Sequence, residues 1–138
     1  VQRRIDRIDE VMVSSLLARD VVTYRGITSG RRMFGDRLDS DLTGMQWRED
    51  AYVSTSAERR QADLFTTDFG GVDAVLLHVI TPAGTGAVQI SGSNGGLAEL
   101  LLDRGHAVEV VADRGVDDRG VRRLDVRVLP KAGADVAG

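Results

Sequence analysis

Two kinds of apolar spacing divide this chain. Ile5, Ile8, Met12 and Leu16 recur every three or four residues, with Val11 beside them and Asp, Arg and Glu between. That spacing predicts an amphipathic helix over residues 3 to 18, closed by Arg19-Asp20. Apolar residues then come in short runs. Val21-Val22-Thr23-Tyr24-Arg25-Gly26 is a β-rich run ended by glycine. From Ile27 to Gly44 the pattern is weak, polar and glycine-spaced, with room for one short helix around residues 31 to 38. Trp47 precedes a strand at Ala51-Tyr52-Val53-Ser54-Thr55-Ser56. Ser56 suits the N-cap of a helix beginning at Ala57, and Leu64, Phe65 and Phe69 would give that helix and its exit an apolar side.

The second half reads as strands joined by glycine turns. Ala74 to Ile80 is almost continuously apolar, the mark of a strand buried on both faces. Pro82-Ala83-Gly84-Thr85-Gly86 is a turn before a short strand at residues 87–90, and strands at 97–102 and 106–112 follow the Ser91–Gly95 loop. Asp113 to Gly120 reads as a charged, solvated turn. The last strand alternates, with Leu124, Val126 and Val128 on one face and Arg123, Asp125 and Arg127 on the other. One or two helices followed by five to seven strands is an α+β order with much antiparallel sheet. There is no internal repeat. A single domain is expected over residues 1–129, with a frayed tail at 130–138.

Composition narrows the function classes. The chain has 138 residues, a formal charge of −3 and 42% hydrophobic residues, enough for one ordinary core. Without cysteine there is no disulfide framework and no thiolate zinc site. Aromatic residues make up only 4%, which together with the acidic balance disfavours a general nucleic-acid-binding module. No apolar run is long enough to span a bilayer, so membrane insertion is not expected. The chain opens on Val1-Gln2-Arg3-Arg4 rather than Met, which reads as a domain cut from a longer precursor.

Candidate chemistry gathers at three short stretches. Gly96-Leu97-Ala98-Glu99-Leu100-Leu101-Leu102-Asp103-Arg104-Gly105 carries one acid near the start of an apolar run, after the pliant Ser91–Gly95 loop. Such a carboxylate is either desolvated and in need of a partner, or a strand-end Glu facing water. Upstream stand Tyr24-Arg25-Gly26 and Ser54-Thr55-Ser56, each at a strand end. Each is weak alone; together they form a chemical set. A guanidinium grips phosphate oxygens bidentately. Serine hydroxyls orient a carboxylate or a sugar. A carboxylate accepts from a ribose hydroxyl and stabilises positive charge on an adjacent anomeric carbon.

The ordered set Val-Thr-Tyr-Arg-Gly, Asp-Ala-Tyr-Val-Ser-Thr-Ser-Ala, the buried strand, Pro-Ala-Gly-Thr-Gly-Ala and Ala-Glu-Leu-Leu-Leu-Asp-Arg-Gly resembles the arginine–serine–glutamate class of mono-ADP-ribosyltransferase toxins. Clostridial exoenzymes and the enzymatic components of binary toxins belong to that class. The resemblance implies an ADP-ribosyltransferase fold, two packed and mostly antiparallel sheets around an NAD cleft with a flanking N-terminal helix. It implies NAD as substrate and no metal. By position, Arg25 resembles the arginine that grips the NAD phosphates, and Gly26 a backbone partner of the nicotinamide amide. Ser54 resembles the serine that holds the nicotinamide ribose and orients the acid, with Thr55 and Ser56 supporting the turn. Glu99 resembles the catalytic glutamate. Phe65 or Phe69 would wall the nicotinamide unless both are ordinary core residues.

One position departs from the pattern. Two residues before the catalytic Glu the family usually carries Glu or Gln on the acceptor side, and here it is Leu97, which can neither take a proton nor hydrogen-bond a nucleophile. Asn94 in the glycine-rich loop before it is the other acceptor-side candidate, and Asp103 or Glu109 could substitute as the acid. The resemblance therefore implies a transferase acting on a macromolecular acceptor, a protein rather than a nucleic acid. An NAD glycohydrolase on the same fold and an inactive binding module are the rivals. The resemblance further implies a monomer, secreted or delivered into a target cell as part of a larger precursor, with an immunity protein as a further partner. His78 is expected as a hydrogen-bonded core histidine, His106 as a solvated one. Two histidines so far apart without cysteine make a metal site unexpected.

Overall fold

The structure, a computed structural model, describes residues 16–49, 53–60, 73–91 and 97–129. The predicted helix at 3–18 falls outside these except for its last three residues. Those are not helical. Leu16 bridges Gly86, while Leu17 donates its N–H to the Thr85 carbonyl at 2.9 Å and accepts from Gly84 at 2.8 Å. Leu17 is thereby drawn into the core, 4% exposed, while Leu16 faces water. Tertiary burial of one leucine overrides the helical period here.

Eight strands follow among the described residues: β1 Val21–Ile27, β2 Gln46–Glu49, β3 Val53–Ser56, β4 Val75–Thr81, β5 Ala87–Ser91, β6 Leu97–Leu102, β7 His106–Val116 and β8 Arg122–Val128. Between β1 and β2 the expected short helix forms as α1, Gly30–Phe34, running into a 3₁₀ turn at Gly35–Asp39. Ser29 caps α1, its hydroxyl accepting from the Arg32 N–H at 3.3 Å. Gly35 ends it in the left-handed region, φ +60°, where a side chain is strained. Gly30 is needed for a different reason. A Cβ there would lie 2.6 Å from the Val75 side chain and 2.7 Å from the Asp73 carbonyl.

The strands are hydrogen-bonded in the order β2-β7-β8-β4-β1-β3-β6-β5. All pairings are antiparallel except β4–β8. A flat sheet would hold β6 and β7 about 24 Å apart, five strand spacings of about 4.8 Å. Yet Val53 of β3 and Leu102 of β6 line one interior cavity with Val108 of β7 and Val126 and Val128 of β8. The sheet therefore folds back on itself into the two packed layers expected of the fold. The corner is the β1–β3 seam, where a single register pair, Tyr24 opposite Ser56, replaces the seven pairs that join β1 to β4.

The core follows the alternation. Leu124, Val126 and Val128 are fully buried, as their spacing predicts, and Leu77, Val79, Leu100, Leu102, Val108 and Val110 join them. Phe34 and Trp47 close one side, ring centroids 5.4 Å apart and nearly perpendicular. A smaller cluster of Ala74, Leu76 and Val121 against Tyr24 lies on the other face of β4, so the predicted burial on both faces holds at Leu76 but not at His78 and Ile80, which are partly exposed.

Four expectations are corrected. β7 extends to Val116, so Asp113 lies within a strand rather than a solvated turn. Bulges between Val110 and Ala112 and between Asp113 and Gly115 let the strand pass through this polar stretch. His106 is buried, its Nδ1 3.1 Å from the Leu129 carbonyl oxygen. His78, expected in the core, instead faces outward with its side chain 39% exposed, because it sits on the opposite face of β4 from Leu77 and Val79. The Trp47 stretch, read only as a prelude, forms β2 itself.

Candidate active site

Strand order brings the three predicted stretches together. Tyr24-Arg25-Gly26 lies on β1, Ser54-Thr55-Ser56 on β3 and Glu99 on β6, three consecutive strands of the sheet. Ser56 stands opposite both Tyr24 and Glu99, and Ser54 opposite Leu101. Because side chains alternate, Ser54, Ser56, Glu99 and Tyr24 share one face. The residues between them turn inward. Thr55 is 2% exposed and donates its hydroxyl to the Leu100 carbonyl at 2.8 Å, tying β3 to β6 from within.

Glu99 is exposed, flanked across the ladders by Ser56 and by Ile90, itself 41% exposed. Of the two readings, the strand-end Glu facing water holds: Leu100 and Leu102 pack behind the strand while the carboxylate looks out. Neither Ser54 nor Glu99 hydrogen-bonds another described side chain. Ser56 is engaged locally, its hydroxyl accepting from the Glu58 N–H at 3.1 Å. It thereby stabilises the turn after β3, with helical backbone starting at residues 59 and 60.

Arg25 sits at the seam but on its inner side. Its Nη1 donates to Glu49 Oε1 at 2.6 Å, and the Trp47 indole N–H donates to the same oxygen at 3.0 Å. The pair is largely enclosed, 30% and 18% exposed, at a cavity also bordered by Asp103 and His106. Glu49 and Trp47 were not singled out from sequence. Their signal was the alternation in Gln46-Trp47-Arg48-Glu49, which puts an aromatic and an acid on one face. Asp103 is buried on this inner side, its Oδ1 accepting from the Arg104 N–H at 2.8 Å. Glu109 is on β7, five strands from β6 in the ladder order. Asp103 is thus on the opposite face from Leu97, while Glu109, opposite the outward Arg127, faces outward but far along the sheet. Phe65, Phe69 and Asn94 lie outside the described residues. Among the described residues, no three His, Asp or Glu converge to hold a metal.

The seam is a break in the sheet's ladder. Beyond the Tyr24–Ser56 pair, the ladder between β1 and β3 stops, next to Arg25 and Gly26 on one strand and Ser54 on the other. The family model described as ADP-ribosyltransferase exoenzyme matches residues 1–129. The chain belongs to the ADP-ribosyltransferase exoenzyme family. It is an NAD-dependent ADP-ribosyltransferase domain, as the ordered Arg25, Ser54 and Glu99 stretches imply. No curated protein sequence matches it. Solved structures share its fold at low identity. C3larvin toxin, an ADP-ribosyltransferase from Paenibacillus larvae, is 22% identical, with 94% of this chain and 77% of that one covered and a TM-score of 0.66. Plx2a, an ADP-ribosyltransferase toxin from the same organism, is also 22% identical, covering 93% and 70% with a TM-score of 0.69. C3stau2 from S. aureus, solved with NAD, is 20% identical, covering 94% and 71% with a TM-score of 0.64.

Proposed function

We propose that this ADP-ribosyltransferase domain cleaves the nicotinamide–ribose bond of NAD at the β1–β3 seam and passes ADP-ribose to a protein acceptor. The proposal includes a toxin or effector role, with delivery into a target cell. The observation that carries the site assignment is the single-pair seam with Ser54 and Glu99 on one lip and Arg25 and Gly26 on the other.

Glu99 accepts a hydrogen bond from the ribose 2′-hydroxyl and stabilises the positive charge that develops at the anomeric carbon. The glycosidic bond breaks with its electron pair leaving on nicotinamide, which discharges the pyridinium. A carboxylate open to water is a weak stabiliser until substrate and acceptor cover it, when the local dielectric falls and its effect grows. Ser54, one step along the same face, orients the ribose and the carboxylate. Gly26 offers its backbone to the nicotinamide amide. Arg25 has one of its guanidinium donors on Glu49, leaving the rest of the fork for phosphate oxygens. Glu49 is therefore a positioning residue.

Leu97 favours a second reading. With no second acid beside it among the described residues, and Glu99 engaged with the ribose, the incoming nucleophile must lose its proton to water or to a base of its own. That suits NAD hydrolysis as well as transfer. Nicotinamide release from wild type, with and without a lysate of target cells, separates the two. A labelled macromolecule with lysate is the expected result. Release without labelling in any lysate would make the domain a glycohydrolase. If Leu97 limits acceptor use, Leu97→Glu should add modification of free arginine derivatives; no gain would return the limit to the loop before it.

A further inference from the structure

On the same face as Glu99, two strands beyond Ser56, lies a pocket of about 340 Å³ to which no role has been assigned. Register fixes its relation to the catalytic face. Glu99, Ser56, Tyr24, His78 and Asp125 form one row across β6, β3, β1, β4 and β8. The pocket begins at Tyr24 and is lined by His78, Asp125, Arg59, Arg114 and Arg123, with Leu76 beneath.

Its charges do not balance internally. Arg114 and Arg123 meet one carboxylate, and that carboxylate is already taken. Asp125 Oδ2 accepts from Arg114 Nε at 2.9 Å and Nη2 at 2.6 Å, and its Oδ1 lies 3.5 Å from His78 Nδ1. Arg123 is half-buried, and its side chain makes no hydrogen bond or ion pair with any described residue. Asp117 is the carboxylate it influences, behind burial, two backbone amides and Arg119 in order of effect. A partly desolvated cation without a counter-ion is unfavourable, and an incoming anion relieves it. Guanidinium selects oxyanions through its planar fork. The wall beside it is a ring pair, Tyr24 and His78, with centroids 5.3 Å apart. A cationic fork beside ring faces, in a volume suited to a small ligand, fits a phosphate ester carried next to a heterocycle.

The geometry points to a phosphate subsite at Arg123, on the catalytic face but separate from the Arg25 fork. It does not depend on the NAD-cleaving assignment for its existence, only for the source of the phosphate. Two sources share this chemistry: the distal part of the dinucleotide bound at Glu99, or a phosphate on the acceptor.

The test uses inorganic pyrophosphate as the probe, titrated calorimetrically into wild type, Arg123→Gln, Arg123→Lys and Arg127→Gln. Arg127 lies on the same outward face of β8 but does not line the pocket. Unchanged circular dichroism and melting temperature qualify each variant. Pyrophosphate affinity should fall at least fivefold in Arg123→Gln, less in Arg123→Lys, and stay within twofold in Arg127→Gln. Nicotinamide release then identifies the source. A several-fold rise in KM for NAD in Arg123→Gln, with kcat within twofold, assigns the phosphate to the dinucleotide. An unchanged KM with lost acceptor labelling assigns it to the acceptor. Equal pyrophosphate affinity in all four proteins, or no saturable binding, overturns the subsite. If wild type releases no nicotinamide, the NAD assignment fails while the pyrophosphate comparison still decides the subsite.

Discussion

Two adjacent arginines on β8 show how differently the halves of this molecule treat charge. Arg122 is saturated. It donates Nε to Asp113 Oδ1 at 3.2 Å and Nη2 to the Ser40 carbonyl at 2.6 Å, with further bonds to Asp113 Oδ2 and the Leu38 carbonyl. Asp113 in turn accepts from the N–H groups of Leu42 and Gly115, each at 2.9 Å. One residue on, Arg123 turns to the other face of the strand and has no such partner. The same contrast holds for carboxylates: Asp113 is buried and fully bonded, whereas Glu99 is exposed with no described side-chain partner. Polar groups that lock β7 and β8 to the loop after α1 are spent on one another. Those along the Glu99–Asp125 row face outward, where a substrate can reach them. Apart from Arg25, which reaches the seam from the inner side, the structural pairs and the proposed site occupy opposite faces of the same strands.

The comparison breaks most sharply at Asp113. Asp113→Asn leaves Arg122, only 15% exposed, without its counter-ion, and removing one partner of such a pair costs about 3–5 kcal/mol. Urea unfolding should show that loss while nicotinamide release per folded molecule stays within twofold. If activity falls and stability does not, the two faces are not separate. The pH dependence carries the same signature. Burial works to raise the Asp113 pKa, but the Arg122 guanidinium and the Leu42 and Gly115 amides outweigh it and hold the carboxyl below its usual range. A carboxyl so lowered stabilises the fold above the unfolded pKa of about 3.9, and that stability is lost as pH falls through the lower folded value. Wild type should therefore lose stability more steeply than Asp113→Asn below about pH 4.

Smaller effects sharpen the picture. Gly30→Ala forces a Cβ against Val75 and the Asp73 carbonyl, and overpacking of this kind costs about 1–3 kcal/mol. A melting temperature equal to wild type would mean that the contact relaxes freely. Thr55→Val removes the hydroxyl bond to the Leu100 carbonyl and should cost about 1 kcal/mol, leaving that buried oxygen with one partner fewer. Thr23 offers the counter-case. Its hydroxyl is fully buried with no hydrogen-bond partner among the described residues, so Thr23→Val should be neutral or slightly stabilising. A clear loss there would show that the hydroxyl has a partner.

Much of this was legible in the chain. Strict alternation in Leu124, Val126 and Val128 and the apolar run from Ala74 to Ile80 mark strands because burial leaves them no other pattern. The Arg25, Ser54 and Glu99 stretches mark the proposed site, and the strand order sets them on three neighbouring strands. What was not legible depends on long-range pairing. Nothing local in Asp113 says that Arg122 and two amides will bury it, so a strand was read as a turn. His78 and His106 exchanged environments for the same reason, since the face each occupies is set by register with distant strands. Glu49 was missed because its partner lies 24 positions earlier in the chain.

The most direct test is the initial rate of nicotinamide release from NAD by wild type and Glu99→Gln, with the melting temperature of each recorded. Glu99 is exposed and unbonded to other described side chains, so the fold should not notice the change. Turnover should fall by about two to three orders of magnitude, as loss of one charge stabiliser does. Equal melting temperatures with that fall would establish Glu99 as the carboxylate that acts on NAD. Turnover within a few-fold of wild type would contradict the site on this face.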